Sequence, residues 1–361
     1  MIAPVLPDEP LRQLSRAAAR AMLALLLAVM AWSALAVPKM VLVDQQAQAT
    51  KSEDSIGDFA LYKLIAGRVE AGEPYYQAAL TEQRAHDYPT RPFVTVRLPT
   101  LAWGHGALGQ TGMRIAVSLL MLAVIGLFVW RFAGTLHRYE VAAGALTLVL
   151  GGAAVFNDLA AHSHDLVSGI LLSLALLAYY PDRWWPSLAL AGLALAVREL
   201  ALPFVLLWLG FAALQGRWRE FSAIFVLLLL YGGALYFHAQ AIAALVLPGD
   251  QPSPGWSGLA GPALPLLSLT KLTFLLALPK SLAGVLAVLP LLGWLSLGGR
   301  IGPFAFLWFA GFMLVMSLFA RVENFYWIML IAPAYLAGLA FIPRAIAHLL
   351  GAASRSKESQ S

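Results

Sequence analysis

Three short constellations in this chain could do chemistry: His162-Ser163-His164-Asp165, Arg198-Glu199, and Arg321-Val322-Glu323. Imidazole beside carboxylate suits zinc and its neighbours, and it suits hydrogen bonding to a phosphate or a sugar as well. A His-X-His pair lacks the i, i+4 spacing that sets two ligands on one helix face. Only His105 stands where it could join them, and ordinary loop polarity is a third reading, so no cofactor is assigned; the sequence admits a divalent cation without indicating one. Opposite charges at short spacing on helix connections read either as groups facing a ligand or as ion pairs that lock helices together. Asp54, Asp58, Asp158, Lys271 and Lys280 fall on the same side of the expected topology, where interfacial snorkelling accounts equally for the two lysines.

What must position these residues is a membrane. The 361 residues are 60% hydrophobic and 12% charged, against roughly 45–50% and 25% in ordinary soluble domains. Apolar runs close to the ~20 residues that cross a bilayer core recur along most of the chain. The fold class is therefore all-α, a polytopic transmembrane helical bundle. The chain has no Cys, which excludes disulfides, thiolate metal sites and Cys nucleophiles. A net charge of +5, tied by position to helix ends, excludes nucleic acid as a partner and leaves the lipid bilayer as one.

The first apolar run, 21–37, follows Arg12, Arg16 and Arg20, which hold the N-terminus in the cytoplasm. Ala34-Leu35-Ala36 also resembles a signal-peptidase site, and either reading puts the next segment outside. Residues 39–112 are polar, mixed in charge and Pro-containing, and form the one large extracytoplasmic loop. Further spans are expected at 114–130, 139–156, 166–180, 221–247, 281–297, 301–320 and 325–342. The stretch 186–214 has basic flanks at both ends, Arg183 and Arg217, so it must leave and return. It reads as two short helices meeting outside at Arg198-Glu199. About ten segments result, with both termini inside, in a single transmembrane domain 1–350 followed by a short disordered cytoplasmic tail, 351–361. The expected location is the cell (inner) membrane, multi-pass.

The first loop carries Ser55-Ile56-Gly57-Asp58-Phe59-Ala60-Leu61-Tyr62, then Ala71-Gly72-Glu73-Pro74-Tyr75-Tyr76, then Tyr88-Pro89-Thr90-Arg91-Pro92-Phe93. Residues 59–70 place Phe59, Tyr62, Ile65, Ala66 and Val69 on one helical face, an interfacial helix stopped by Gly72 and Pro74. Asp58 falls at its start, where Asp also serves as an N-cap. An Asp after the first membrane helix, followed by Phe, Tyr and a Gly-X-Pro-Tyr stop, resembles the first external loop of polytopic GT-C glycosyltransferases. The bacterial polyprenyl-phosphate-mannose-dependent mannosyltransferases are the branch it is most similar to. The basic turn at Arg198 and the run Arg321 to Pro333 resemble the same family. Departures are the short chain, the lack of a soluble C-terminal domain, and Thr90-Arg91-Pro92 where such relatives are more apolar.

That resemblance implies an enzyme, a hexosyltransferase that moves a sugar from a polyprenyl-phosphate donor to an acceptor on the extracytoplasmic side, a glycolipid, polysaccharide or protein. It implies Asp58 as general base, with Arg198, Lys280 and Arg321 holding phosphate and His162 and His164 donating hydrogen bonds. Asp165, Glu199 and Glu323 join the substrate-binding set. Tyr62, Tyr75 and Tyr326 would hold sugar rings or the lipid head group. No nucleotide-binding Gly-rich loop is present, which fits a lipid-linked donor. The competing class is a transporter or flippase of a lipid-linked or anionic substrate, which would place charge near mid-membrane with internal repeats. A non-catalytic membrane scaffold is the third.

Overall fold

The computed structural model describes residues 6–49, 56–157 and 160–355, so Asp54, Asp158 and the tail from 356 onward lie outside the described residues. α1 (Arg16–Ala49) runs well past the expected span. Its polar end stays helical because Asp44 is neutralised by Lys271, whose Nζ lies 2.9 and 2.8 Å from the two carboxylate oxygens. The connection to the next long helix then builds two short helices, α2 (Asp58–Glu70) and α3 (Tyr75–Ala85). α4 (Thr100–Phe132) begins fourteen positions before the expected 114–130 span and bends at Gly109, whose φ of 67° only glycine adopts without strain. The first loop is therefore shorter than the expected 39–112.

α5 (Arg138–Gly151) and α6 (His164–Ala178) follow. Every residue of α6 from His164 to Leu177 is buried, which makes it the central pillar, apolar on all sides because protein surrounds it. α7 (Trp185–Val197) and α8 (Leu202–Leu214) are the two expected short helices, meeting at Arg198 and Glu199. α9 (Trp218–Ala243) leads to a long irregular stretch and then α10 (Ala263–Leu272), a buried helix that the sequence reading leaves as connection. α11 (Lys280–Ser296) and α12 (Ile301–Phe319) match expectation. The expected span 325–342 does not form. Val322–Leu330 is a 3-10 helix, and α13 (Ala332–Tyr335), a 3-10 stretch (Leu336–Phe341) and α14 (Ile342–Ser354) make the last rod instead. Pro333 lacks an N–H and sits in a first helical turn, so the rod starts there. α14 also carries 351–354, the start of the expected tail, into helix, because Ala352 packs with Leu11 and Leu349.

Among the described residues, five helices are long and apolar enough to cross a membrane: Arg16–Ala49, Phe93–Phe132, Trp218–Ala243, Ile301–Phe319 and Ala332–Ser354. Leu25, Leu27 and Leu35 on α1, Ile115, Leu119 and Leu122 on α4, and Leu229, Leu230 and Phe237 on α9 are exposed. Such stripes are stable facing lipid, and the chain is a multi-pass membrane protein. Between the helices, packing is close: a Cβ added at Gly293 of α11 would lie 1.8 Å from the Gly338 carbonyl oxygen.

The two ends of the bundle differ. At one, arginines tie the helix ends together: Arg344 pairs with Glu140 at 2.5 Å, and Arg217 with Glu220 and the Pro181 carbonyl. Arg131 donates to Leu177 and Tyr179 at 2.8 and 2.7 Å, and Arg300 to Gln215 at 2.5 Å. Exposed Trp130, Tyr139, Trp185 and Trp218 ring this rim, as aromatic residues do at a membrane interface. At the other end, α2, α3 and residues 86–99 form a cap with a small core of its own, built on Leu61, Ile65, Tyr75, Leu80 and Val96.

Candidate functional site

Beneath the cap lies an open cavity whose empty volume, counted to its mouth, is about 1920 Å³. Asp58, Tyr62, Arg198, Glu199, Arg321, Glu323 and Tyr326 all line it, so seven residues from three separate stretches of sequence converge on one space. Asp165 stands directly behind Arg198. His162 and His164 line a smaller neighbouring cavity of about 360 Å³, walled off by Tyr62 and Arg97, which border both. Tyr75 borders only the smaller one, its hydroxyl donating to the Arg97 carbonyl at 2.5 Å. Lys280 lines neither, and its Nζ donates to the Leu276 carbonyl at 3.3 Å. Of the expected site, Asp165 and Lys280 line neither cavity; Asp165 is joined to the larger one through Arg198, and Lys280 has no such link among the described residues.

Asp58 is the first helical residue of α2, and Gly57 is the N-cap. Its carboxylate is thus not spent on capping. The Tyr88 hydroxyl shares its proton between Oδ1 at 2.9 Å and the Ile56 carbonyl at 2.8 Å, and among the described residues no cation pairs with the Asp58 carboxylate. Burial first, then the Asp58 charge, pushes the Tyr88 phenol up, so Tyr88 stays a donor to the carboxylate. Tyr62 on the same wall is pushed up to about 12, chiefly by burial and against the pull of Arg97.

The floor of the cavity is a buried ion network. Arg198, 1% exposed, donates to Asp165 Oδ1 at 2.9 Å and to Glu199 Oε1 at 2.5 Å. Arg97 donates to the same Glu199 oxygen at 3.1 Å and to the Tyr62 hydroxyl at 2.8 Å. Two arginines and two carboxylates cancel, which is what burial of such groups demands. The turn between α7 and α8 supplies two members, the start of α6 a third and the entry to α4 the fourth.

Arg321 is different. It lies between α12 and the 3-10 helix that follows, where Asn324 Oδ1 accepts from its backbone N–H at 3.2 Å. Its buried Nε has no hydrogen-bond partner, and among the described residues no carboxylate pairs with its guanidinium. Asp165 Oδ2, Trp327 Nε1 and Gln83 Oε1 are likewise buried without partners around this cavity. Buried polar atoms rarely stay unpaired, so their concentration here marks a place that a polar ligand or water completes.

The two histidines form a separate group. His162 stacks on His105, with ring centroids 4.2 Å apart, and His164 meets Tyr62 edge-on at 4.7 Å. Burial, then His105 and Lys63, push the His162 imidazole down to about 4, so it is neutral at physiological pH. Among the described residues no group of three His, Asp or Glu could hold a metal ion.

Sequence reasoning misses Arg97, Tyr88, Trp256 and Trp327, all on the cavity wall. Arg97 stands alone between Val96 and Leu98, and its partner Glu199 is 102 positions away, so no local pattern announces it. Trp256 sits in the Gly/Pro-rich stretch after α9, which reads only as a connection. Comparison with protein-family models, with curated proteins and with solved structures finds no match for the chain.

Proposed function

We propose that this cavity transfers a sugar from a polyprenyl-phosphate donor to a lipid or glycan acceptor, with Asp58 as general base and Arg321 as the principal phosphate ligand. The reading rests on one observation: among the described residues, a carboxylate with no cation and a guanidinium with no carboxylate line the same cavity, above a network whose own charges cancel. In such a transfer the acceptor oxygen bonds to the anomeric carbon, the bond from that carbon to the phosphate oxygen breaks, and the acceptor proton passes to Asp58. The leaving phosphate gains a negative charge, which Arg321 stabilises. A single displacement inverts the anomeric carbon. The resemblance of the 58–76 and 321–333 segments to GT-C enzymes supports the same reading.

In this account ten segments cross or nearly cross the bilayer: α1, α4, α5, α6, α7, α8, α9, α11, α12 and the rod from Ala332. The short ones, about 20 Å long at 1.5 Å per residue, are matched to a ~30 Å apolar core by their protein neighbours and not by lipid. The arginine rim faces the cytoplasm and the cavity faces outward.

A flippase would need a polar path between the two ends. Below the ion network the bundle is filled by Leu195, Trp294, Phe309 and Tyr335, all fully buried, which favours chemistry at one face. The test is purified protein in liposomes with a polyprenyl-phosphate hexose carrying a labelled sugar. Label moving onto an added acceptor supports the proposal. Movement of intact lipid between leaflets with no sugar transfer would replace it with the flippase.

A further inference from the structure

The stretch between α9 and α10 is irregular, yet it is pinned at both ends. On one side Arg84 grips Asp250 with two bonds, Nε to Oδ1 at 2.7 Å and Nη2 to Oδ2 at 2.9 Å. The same nitrogen Nη2 reaches the Leu245 carbonyl at 2.8 Å. Thr90 N–H donates to the Gln251 carbonyl at 3.1 Å and Ser253 N–H to the Arg91 carbonyl at 2.6 Å, so residues 251–253 run alongside the cap. On the other side Leu259 and Gly261 donate from their N–H groups to the carbonyls of Leu318 and Ser317 at 3.3 and 3.0 Å. Gly258 presses against Ala320, where a Cβ would come within 2.1 Å of the carbonyl oxygen. Between Ser253 and Gly258 a strap of four residues carries Trp256 to the mouth of the cavity.

Trp256 is 49% exposed, whereas Trp327 beneath it is 4% exposed. Their rings meet edge to face at 5.8 Å, and both line the cavity. The Trp327 indole N–H has no acceptor among the described residues. The pair offers a ligand a π-face and a lone donor together. A pyranose ring presents the complement, an apolar C–H face and a rim of hydroxyls.

We infer that Trp256 is the specificity-determining residue of a sugar subsite over Trp327, and that the Arg84–Asp250 pair positions it there. This rests on the sugar-transfer reading, since it names where the donor's sugar sits relative to its phosphate at Arg321. The subsite distinguishes a lipid phosphate that carries a sugar from one that does not. The strap itself makes no contact that the bare phosphate needs.

Two probes separate the possibilities: a polyprenyl-phosphate hexose and the same polyprenyl phosphate without sugar, each titrated against full-length protein in detergent. Wild type should bind the sugar-bearing lipid more tightly. Trp256→Ala should lose about 2- to 12-fold of that preference, the range an aromatic contact supplies, and leave the sugar-free lipid unchanged. Trp256→Phe should recover part of the preference. Asp250→Asn should mimic Trp256→Ala, because the freed strap no longer holds the ring in place. If Trp256→Ala keeps the full preference, or weakens both probes alike, the inference fails and the sugar-transfer reading stands. If wild type binds neither probe, the reading itself fails and takes the inference with it.

Discussion

Arg198 and Arg321 read alike in the sequence, each a basic residue at a helix connection followed closely by Glu. The fold separates them. Arg198 is paired twice with carboxylates inside the protein, so Arg198→Ala strands Asp165 and should cost about 3–5 kcal/mol of stability. Arg321 has no such partner among the described residues, so Arg321→Ala should leave the melting temperature near wild type and weaken use of the lipid-phosphate donor by roughly 10- to 150-fold, the worth of a hydrogen bond to a charged group. Thermal melting beside donor titration checks both, and equal effects of the two substitutions on both measurements would contradict the assignment. His162 gives a pH signature. Its imidazole is held at about 4 in the folded chain, against ~6.5 when unfolded, so the unfolded state binds the proton first. The stability from keeping it neutral is fully present above pH ~6.5 and lost as pH falls toward 4. The melting-temperature advantage of wild type over His162→Gln should shrink across that window, and an advantage constant with pH would show that His162 does not titrate as its surroundings require.

At the scale of elements, the legible features are those that one stretch of sequence decides. The break between α7 and α8 follows from basic flanks around an apolar stretch, and α2 follows from its periodicity and its Gly72-Pro74 stop. Features decided by a distant partner stay hidden. The length of α1 depends on Lys271 neutralising Asp44, 227 positions on, and α10 holds only ten residues with a Lys near its end, so nothing local marks it as core. Likewise 325–342 has the composition of a span, but the place where it becomes helix is set by Pro333 and by the close fit of the rod on α11. That fit is testable: Gly293→Ala puts a methyl where the Gly338 carbonyl stands. Overpacking of this kind should cost about 1–3 kcal/mol, read as a lowered melting temperature, and an unchanged value would mean that α11 and the last rod are not in contact as described.

Across the whole molecule, charge is divided by end. Arginines close one rim by pairing with Glu140, Glu220 and backbone carbonyls, and the other end holds the cavity with Asp58 and Arg321. Sequence alone collects most of the cavity's residues on one side, because the positive-inside rule acts on the chain as a whole; it cannot supply the distances that make Arg198 internal, Arg321 free and Lys280 remote. The chain has no Cys, so single-Cys labelling is clean. Glu323→Cys should react with a membrane-impermeant maleimide from outside the cell and Arg183→Cys only from the cytoplasm, and labelling of both from one side would overturn the topology. The central claim, sugar transfer with Asp58 as base, is tested most directly by single-turnover transfer from a polyprenyl-phosphate hexose by wild type and Asp58→Asn. The amide keeps the size of the carboxylate and an oxygen for the Tyr88 hydroxyl but loses basicity. The account predicts normal donor binding and a transfer rate lower by roughly 10²-fold or more, the usual worth of a positioned base; transfer by Asp58→Asn at the wild-type rate would contradict it.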